Sequence, residues 1–418
     1  MKVLIVNKFL YPNGGSETYI FGIGKELERL GNEVQYFGME HEGRIVGNHA
    51  NSYTSGVDFH VSSLSKITYP FRIIYSREAR KKIRAVLEYF NPEVVHLNNI
   101  NFQLTPSIID EIRQYNQTIR IVYTAHDFQW ICPNHQLRIP DTGELCMRCI
   151  NGKFGNCISY NCIHNSKMQS VLGAIEGWYY RKRRTYRKVD SIICPSEFME
   201  KVLSKNEELS GRTLLLRNFI PEKTDHKIDN EVISKLPGRY MLFCGRFSAE
   251  KGIDTLIAAC RKLPEINFVF AGSGDREQEI LGLDNAYMPG FLHGGTLEQV
   301  IRKAEASICP SIVYENCPFS VMESQIYSTP VIASNIGGIP ELVDDSTGIL
   351  VEPGDADELA EQIRLLWNDP KKIETMKSAC AGWSEKSFCS INEYCAKLLK
   401  IYEDESTQDM TSHGGNNE

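Results

Sequence analysis

What most constrains this chain is an alternation that runs almost from end to end. Short apolar, β-branched runs are separated by longer stretches of helical periodicity. KVLIVNKF, EVQYFGM, PEVVHLNN, RIVYTAH and SIICPS form one series of strands. RYMLFCG, NFVFAGSG, ASICPS and PVIAS form a second, beginning near residue 239. A strand that is apolar along its whole length needs cover on both faces, which parallel sheets between helical layers supply. At 418 residues the chain exceeds one ordinary core. Polar, proline-bracketed LRNFIPEKTDHKIDNEVISKLPG between the two series reads as a linker. The expectation is an α/β chain of two doubly wound, Rossmann-like domains facing across a cleft, at roughly residues 1–220 and 235–378. SINEYCAKLLKIYE, within 379–404, supplies a helix that crosses back to the first domain, and 405–418 is a polar, flexible tail.

In such sheets ligands bind beyond the carboxyl ends of the strands, and the chemistry-bearing residues fall there. YENCPFSVMES holds Glu315 and Glu323 around a helix start, with Pro318 at the first helical position. The N–H groups of Phe319, Ser320 and Val321 are then open to an anion such as a phosphate. Glu323, one turn in, suits the diol of a ribose, and Glu315 lies on the incoming loop. CGRFSAEKG places Arg246 and Lys251 after a strand, where two fixed cations can neutralise a departing diphosphate. Gly14 and Gly15 open the helix after the first strand and allow close backbone approach. They do not form a GxGxxG fingerprint, which argues against a nicotinamide oxidoreductase. His126 follows RIVYTA at another strand end. Asp355-Ala-Asp357 has the text of a metal–nucleotide DxD, but Asp355 sits where a helix N-cap belongs.

A net charge of −7 argues against nucleic acid as a partner, and no apolar run is long enough to span a membrane. The N-terminal MKVLIVNKFLY reads as a strand and not as a signal peptide, so the expected location is cytoplasmic.

Gly14-Gly15-Ser16-Glu17, PEVVHLNN, His126, GRFSAEKG, AGSGD, the Glu315/Glu323 pair, PVIASNIGGIPELV and TGILVEPGD together resemble a family 4 retaining glycosyltransferase of the GT-B fold, of the polysaccharide-biosynthesis type. The resemblance implies that Glu315 and His126 act at the donor sugar and that Glu323 binds the ribose. It also implies that Arg246 and Lys251 bind the diphosphate, without a catalytic metal. The pattern departs from the family's at Asn316-Cys317 and at Ser324 and Ser328. The implied substrates are a nucleotide sugar, most simply a uridine diphosphate sugar, and a lipid-linked or saccharide acceptor. Guanosine diphosphate-mannose is the alternative donor. A catalytically silent sugar- or partner-binding protein is the alternative class.

One segment exceeds the family pattern. CPNHQLRIPDTGELCMRCINGKFGNCISYNCIH (132–164) gathers Cys132, Cys146, Cys149, Cys157 and Cys162, with His135 and His164 near them. Cys146-x-x-Cys149 has zinc-knuckle spacing, and an insertion poor in apolar residues needs a staple. A structural zinc held by four of the five cysteines is expected, with Cys146 and Cys149 the firmest pair and free thiols or redox pairs the alternative. KITYPFRIIYSREARKKIRAVLEYF and YYRKRRTYRK are basic and aromatic, as an anionic membrane surface at the inner face requires, or as a solvated helix face allows.

Overall fold

The computed structural model describes residues 1–55, 74–220 and 227–404. The expected tail, the first part of the KITYPFRIIY stretch and the middle of the linker lie outside the described residues. The first strand series forms one parallel sheet of β1 (Lys2–Val6), β2 (Glu33–Phe37), β3 (Val94–Leu97), β4 (Arg120–Thr124), β5 (Ser191–Cys194) and β6 (Thr213–Leu215). Its order is β2-β1-β3-β4-β5-β6, with Val3 opposite Val34 on one side and Val94 on the other. The second sheet holds β7 (Met241–Cys244), β8 (Phe268–Ala271), β9 (Ala286–Gly290), β10 (Ser307–Cys309), β11 (Val331–Ser334) and β12 (Gly348–Val351). Its order is β12-β11-β10-β7-β8-β9.

Both sheets are covered on both faces, as continuous apolar strands demand. Val3, Leu4, Ile5 and Val6 are all fully buried. In the second sheet Met241, Phe243, Phe268 and Phe270 share a core with Leu256 and Ile257 of helix Ile253–Arg261. Ile363 and Leu366 of helix Ala356–Trp367 close the same core. Asp355 caps that last helix, its side chain accepting from the N–H groups of Asp357 and Glu358. The DxD string is therefore a helix cap.

The chain divides into two compact units. One comprises Met1–Pro195, Glu200–Leu216 and the segment from Ser390 onward; the other comprises Ser196–Met199 and Arg217–Cys389. Helix Pro370–Ser387 runs unbroken through the boundary expected at 378, because Ile373, Met376 and Cys380 are buried along it. The element that returns to the first unit is helix Ile391–Tyr402, which begins with a capping box between Ser390 and Glu393. Its buried Tyr394 places a hydroxyl 2.8 Å from that of Tyr19, and Tyr402 places one 2.6 Å from His96 Nδ1.

Strand order reverses between β1 and β3 in the first sheet and between β7 and β10 in the second. Loops on either side of such a point diverge and leave a crevice at the strand ends. Arg246 and Lys251 follow β7, and Glu315 follows β10. Gly14 follows β1, and His126 follows β4, the neighbour of β3.

Candidate functional site

In the second unit the loops after β7 and β10 are joined backbone to backbone, Ile312 N–H donating to Glu250 O at 3.1 Å. Gly252 makes this possible: at φ 72 a Cβ there would lie 1.7 Å from the Pro310 carbonyl oxygen. The join carries Lys251 to Glu315, with Nζ donating to Oε1 at 2.6 Å. Ser311 Oγ donates to the same oxygen at 2.8 Å. The other oxygen of Glu315 has no protein partner among the described residues. Burial acts to raise the Glu315 carboxyl, but Lys251 and Ser311 hold it below the usual carboxylate range. Burial likewise works against the Lys251 ammonium, and Glu315 more than offsets it. Both groups are therefore charged. Gly337 lies over this pair at φ 62, where a Cβ would meet the Glu315 carbonyl oxygen at 2.3 Å, and Gly338 N–H donates to that oxygen at 2.7 Å. The glycine pair of NIGGIP thus fixes the backbone of Glu315. Arg246 is exposed, with Glu250 at 4.0 Å as a loose counter-ion.

Helix Phe319–Ile326 starts beside this loop. Pro318 is its N-cap (φ −67, ψ 122), one position earlier than the sequence pattern suggests. Its carbonyl accepts from Val321 N–H at 3.2 Å. The Val321 donor is therefore spent inside the first turn, which corrects the expectation that three N–H groups stand open. Those of Phe319 and Ser320 have no acceptor among the described residues. Cys317 is buried under the helix start with Val321 and Met322, so this departure from the family pattern is an apolar plug. Ser324 donates to Ser307 of β10 at 2.7 Å and ties the helix to its sheet.

Glu323 occupies the next turn. Among the described residues its carboxylate has no hydrogen-bond partner, and burial pushes its pKa up to about 7. A desolvated carboxyl without a partner is costly, and the fold offers it nothing.

In the first unit Gly14 is the N-cap of helix Gly15–Arg29, with extended backbone that any residue can adopt. A Cβ there would meet only Glu17 Oε2, at 3.5 Å. The fold itself does not require this glycine. Glu17, 2% exposed, accepts from Asn7 Nδ2 at 2.8 Å. His126 Nε2 lies 2.9 Å from Asn98 Oδ1, and the ring stands edge-on to Tyr19. Burial lowers its pKa to about 4, partly opposed by Asp127, so the imidazole is neutral at ordinary pH.

Two features here were not legible in the sequence. Asp127 pairs with His135 of the cysteine-rich segment, Oδ2 to Nδ1 at 3.5 Å. Ser311 holds Glu315. Neither stands at a telling spacing, since Asp127–His135 is made by a loop that folds back and Ser311 looks like any residue after Pro310.

The cysteine-rich segment lies between β4 and helix Lys167–Lys182. Its five cysteines together line one cavity of ≈ 10 Å³, and none is in a disulfide. Cys132, Cys149, Cys157 and Cys162 are buried, whereas Cys146 is half-buried. Burial pushes the Cys132 and Cys149 thiols up to about 12. Among the described residues no group of three or more His, Cys, Asp or Glu side chains stands already drawn together around an ion position.

Part of the basic charge is consumed within the first unit. Arg80 and Arg84 each donate to Glu111 at 2.6 Å, and Arg183 and Lys188 close on the buried Asp110.

Comparison with known proteins gives this geometry its family. Residues 13–221, half of the chain, match the profile described as Glycosyltransferase Family 4. The chain belongs to that family. Residues 225–383 of this glycosyltransferase match a second profile, Glycosyl transferases group 1. An uncharacterized glycosyltransferase of Methanocaldococcus jannaschii is 24% identical over 368 residues, which cover 84% of this chain and 95% of the relative. The structure of HepE from Anabaena in complex with UDP-glucose superposes with a TM-score of 0.64 at 17% identity, covering 96% of this chain and 100% of that one. WaaG, a glycosyltransferase involved in lipopolysaccharide biosynthesis, superposes with a TM-score of 0.66 at 14% identity, covering 96% and 99%. The two parallel sheets of this glycosyltransferase are those of the GT-B fold.

Proposed function

We propose that this glycosyltransferase takes a sugar from a uridine diphosphate donor and transfers it, with retention and without a catalytic metal, to a saccharide acceptor carried on a lipid. The observation that carries the reading is Glu323, a half-buried, desolvated carboxylate with no protein donor among the described residues. It sits one turn into a helix whose first two N–H groups lack acceptors. A ribose diol supplies the missing donors, and a diphosphate supplies the missing acceptors. Lys251 and Arg246 follow β7 at the same switch point and balance the charge that grows on the leaving diphosphate. The open oxygen of Glu315 takes hydroxyls of the donor sugar. As the bond from the anomeric carbon to the phosphate oxygen breaks, the acceptor oxygen bonds to that carbon and its proton passes to the leaving phosphate. His126, neutral and fixed by Asn98, serves as a hydrogen-bonding group at the sugar and not as a cation.

The uridine base rests on the likeness to HepE, a structure holding UDP-glucose. The lipid-linked acceptor rests on the likeness to WaaG and on the surface of helix Lys167–Lys182. Met168, Ile175 and Trp178 are exposed at helical spacing on that helix, and Lys182 and Arg184 are exposed at its end. Such a face suits the inner surface of an anionic membrane.

Donor hydrolysis tests the reading without an acceptor. UDP-sugars should be hydrolysed slowly and UDP should compete, with activity unchanged by brief EDTA treatment. Preferential turnover of GDP-mannose would replace the base assignment, and prompt EDTA loss restored by magnesium would overturn the metal-free chemistry.

A further inference from the structure

We propose that Cys132, Cys149, Cys157 and Cys162 bind one zinc ion as a structural four-thiolate site, with Cys146 outside the ligand set. Sequence spacing alone favours Cys146 with Cys149, so the structure selects differently. All five cysteines border the same ≈ 10 Å³ cavity, a volume of about one water-sized probe sphere. The proposed four are 8%, 5%, 1% and 9% exposed in chain order. Each of the four lies near enough to the other three to act on it electrostatically. Cys146 also bears on Cys149, but it is only half-buried where the other four are buried.

The surroundings fit an anionic centre. Four thiols that give up their protons to solvent and bind Zn²⁺ leave a net charge of −2. Arg138 borders the cavity, and the Arg148 guanidinium bears on Cys162. The backbone also points to an external staple. His135, Leu137, Asn161, His164 and Asn165 all have positive φ between 47 and 66, a costly concentration for non-glycine residues. Around the cysteines the segment offers a small apolar cluster, in which Cys149, Cys157 and Cys162 themselves join Phe154 and, from the following helix, Ala174. The four thiols stand around a common space without being drawn in to ion-binding distance, and the metal completes that contraction.

The site also has something to hold. Cys132 N–H donates to Phe128 O at 2.9 Å, His135 N–H donates to Cys132 O at 2.9 Å, and Phe128 N–H donates to His135 O at 3.2 Å. This turn presents His135 to Asp127, next to His126. Zinc at Cys132 therefore fixes a turn bordering the residues beyond β4.

The test is metal analysis of the full-length protein purified without chelator, together with its Cys146→Ser and Cys157→Ser variants. About one zinc per chain is expected in the wild type and in Cys146→Ser, and a loss of most of it in Cys157→Ser. Because Cys157→Ser can fail to fold, cobalt(II) exchange into the wild type and Cys146→Ser provides a second readout. Both should give the same visible spectrum of a tetrahedral four-sulfur site. No zinc in the wild type, with five titratable thiols or with a disulfide by mass, would overturn the site. Loss of zinc or an altered cobalt spectrum in Cys146→Ser would overturn the ligand assignment. Neither result bears on donor hydrolysis, so the proposed transfer reaction stands or falls separately.

Discussion

Glu323 can be tested through its own titration. Burial raises its pKa to about 7, whereas a carboxylate is the form that accepts from a diol. A donor that binds only the ionised form loses apparent affinity as the pH falls through that value. At pH 6 the loss is about tenfold, the excess of protonated over ionised carboxyl one unit below the pKa. UDP-glucose is the suitable probe, because its diphosphate diester has no proton to take up in this range. Calorimetric titration between pH 8 and 6 should show the weakening in the wild type. Glu323→Gln should bind more weakly at pH 8, by about 1.5–3 kcal/mol for a lost charge-assisted hydrogen bond, and should show no such slope. A wild type with flat affinity across that range would remove Glu323 from the ribose. At this scale the sequence was informative where a motif fixes a residue against the backbone, as at Glu315, Lys251 and the NIGGIP glycines. Spacing alone marks Cys146-x-x-Cys149 as a ligand pair, whereas the proposal that leaves Cys146 out draws on burial, which spacing does not carry, Cys146 being half-buried and the other four cysteines buried.

Among elements, legibility followed burial. The strands read from the sequence include every central strand of both sheets. Those that escaped are β6, β9 and β12, all at sheet edges. Edge strands are covered less completely and need not be apolar throughout. β6 is half-buried along its length, β9 contains Pro289 and β12 opens on Gly348. The returning helix Ile391–Tyr402 was legible because Tyr394, Leu398, Ile401 and Tyr402 form a buried face. Its polar anchorage was not, since it depends on side chains hundreds of residues away. His96 is wholly buried, with Nδ1 2.6 Å from the Tyr402 hydroxyl and Nε2 2.7 Å from Thr124 Oγ1. Tyr402→Phe leaves that Nδ1 without its partner in a site closed to water. The expected cost is about 1–3 kcal/mol to the first unit. Hydrogen exchange should therefore quicken in peptides covering β3, β4 and the returning helix, and not in those covering the second sheet. Unchanged exchange would mean that the apolar face alone holds the helix.

For the whole molecule, desolvated titratable groups, buried or half-buried, give the two units opposite responses to pH. Burial lowers the pKa of His96 to about 3 and of His126 to about 4 in the first unit. An unfolded histidine takes up a proton below about 6.5, while these two resist it when folded. The unfolded state then binds more protons, and stability is lost as the pH falls from about 6.5 toward the folded values. Glu176 and Glu208 in the same unit work the other way, since burial raises Glu176 to about 7 and Glu208 above its ordinary value, and they offset part of the histidine effect. In the second unit Glu323 is raised to about 7, with no buried histidine to oppose it among the described residues. Its folded state holds the extra proton, so its contribution to stability is present below the unfolded pKa and is lost as the pH rises toward 7. Between pH 7.5 and 5.5 the first unit should become less stable and the second more stable. Hydrogen exchange at both pH values, corrected for the intrinsic rate, resolves the units by peptide. Peptides from β1, β3 and β4 should lose protection at pH 5.5, while those from β7, β10 and helix Phe319–Ile326 gain it. Glu323→Gln should abolish the second change and leave the first, and parallel shifts in both units would refute the assignment of the slopes to these desolvated groups.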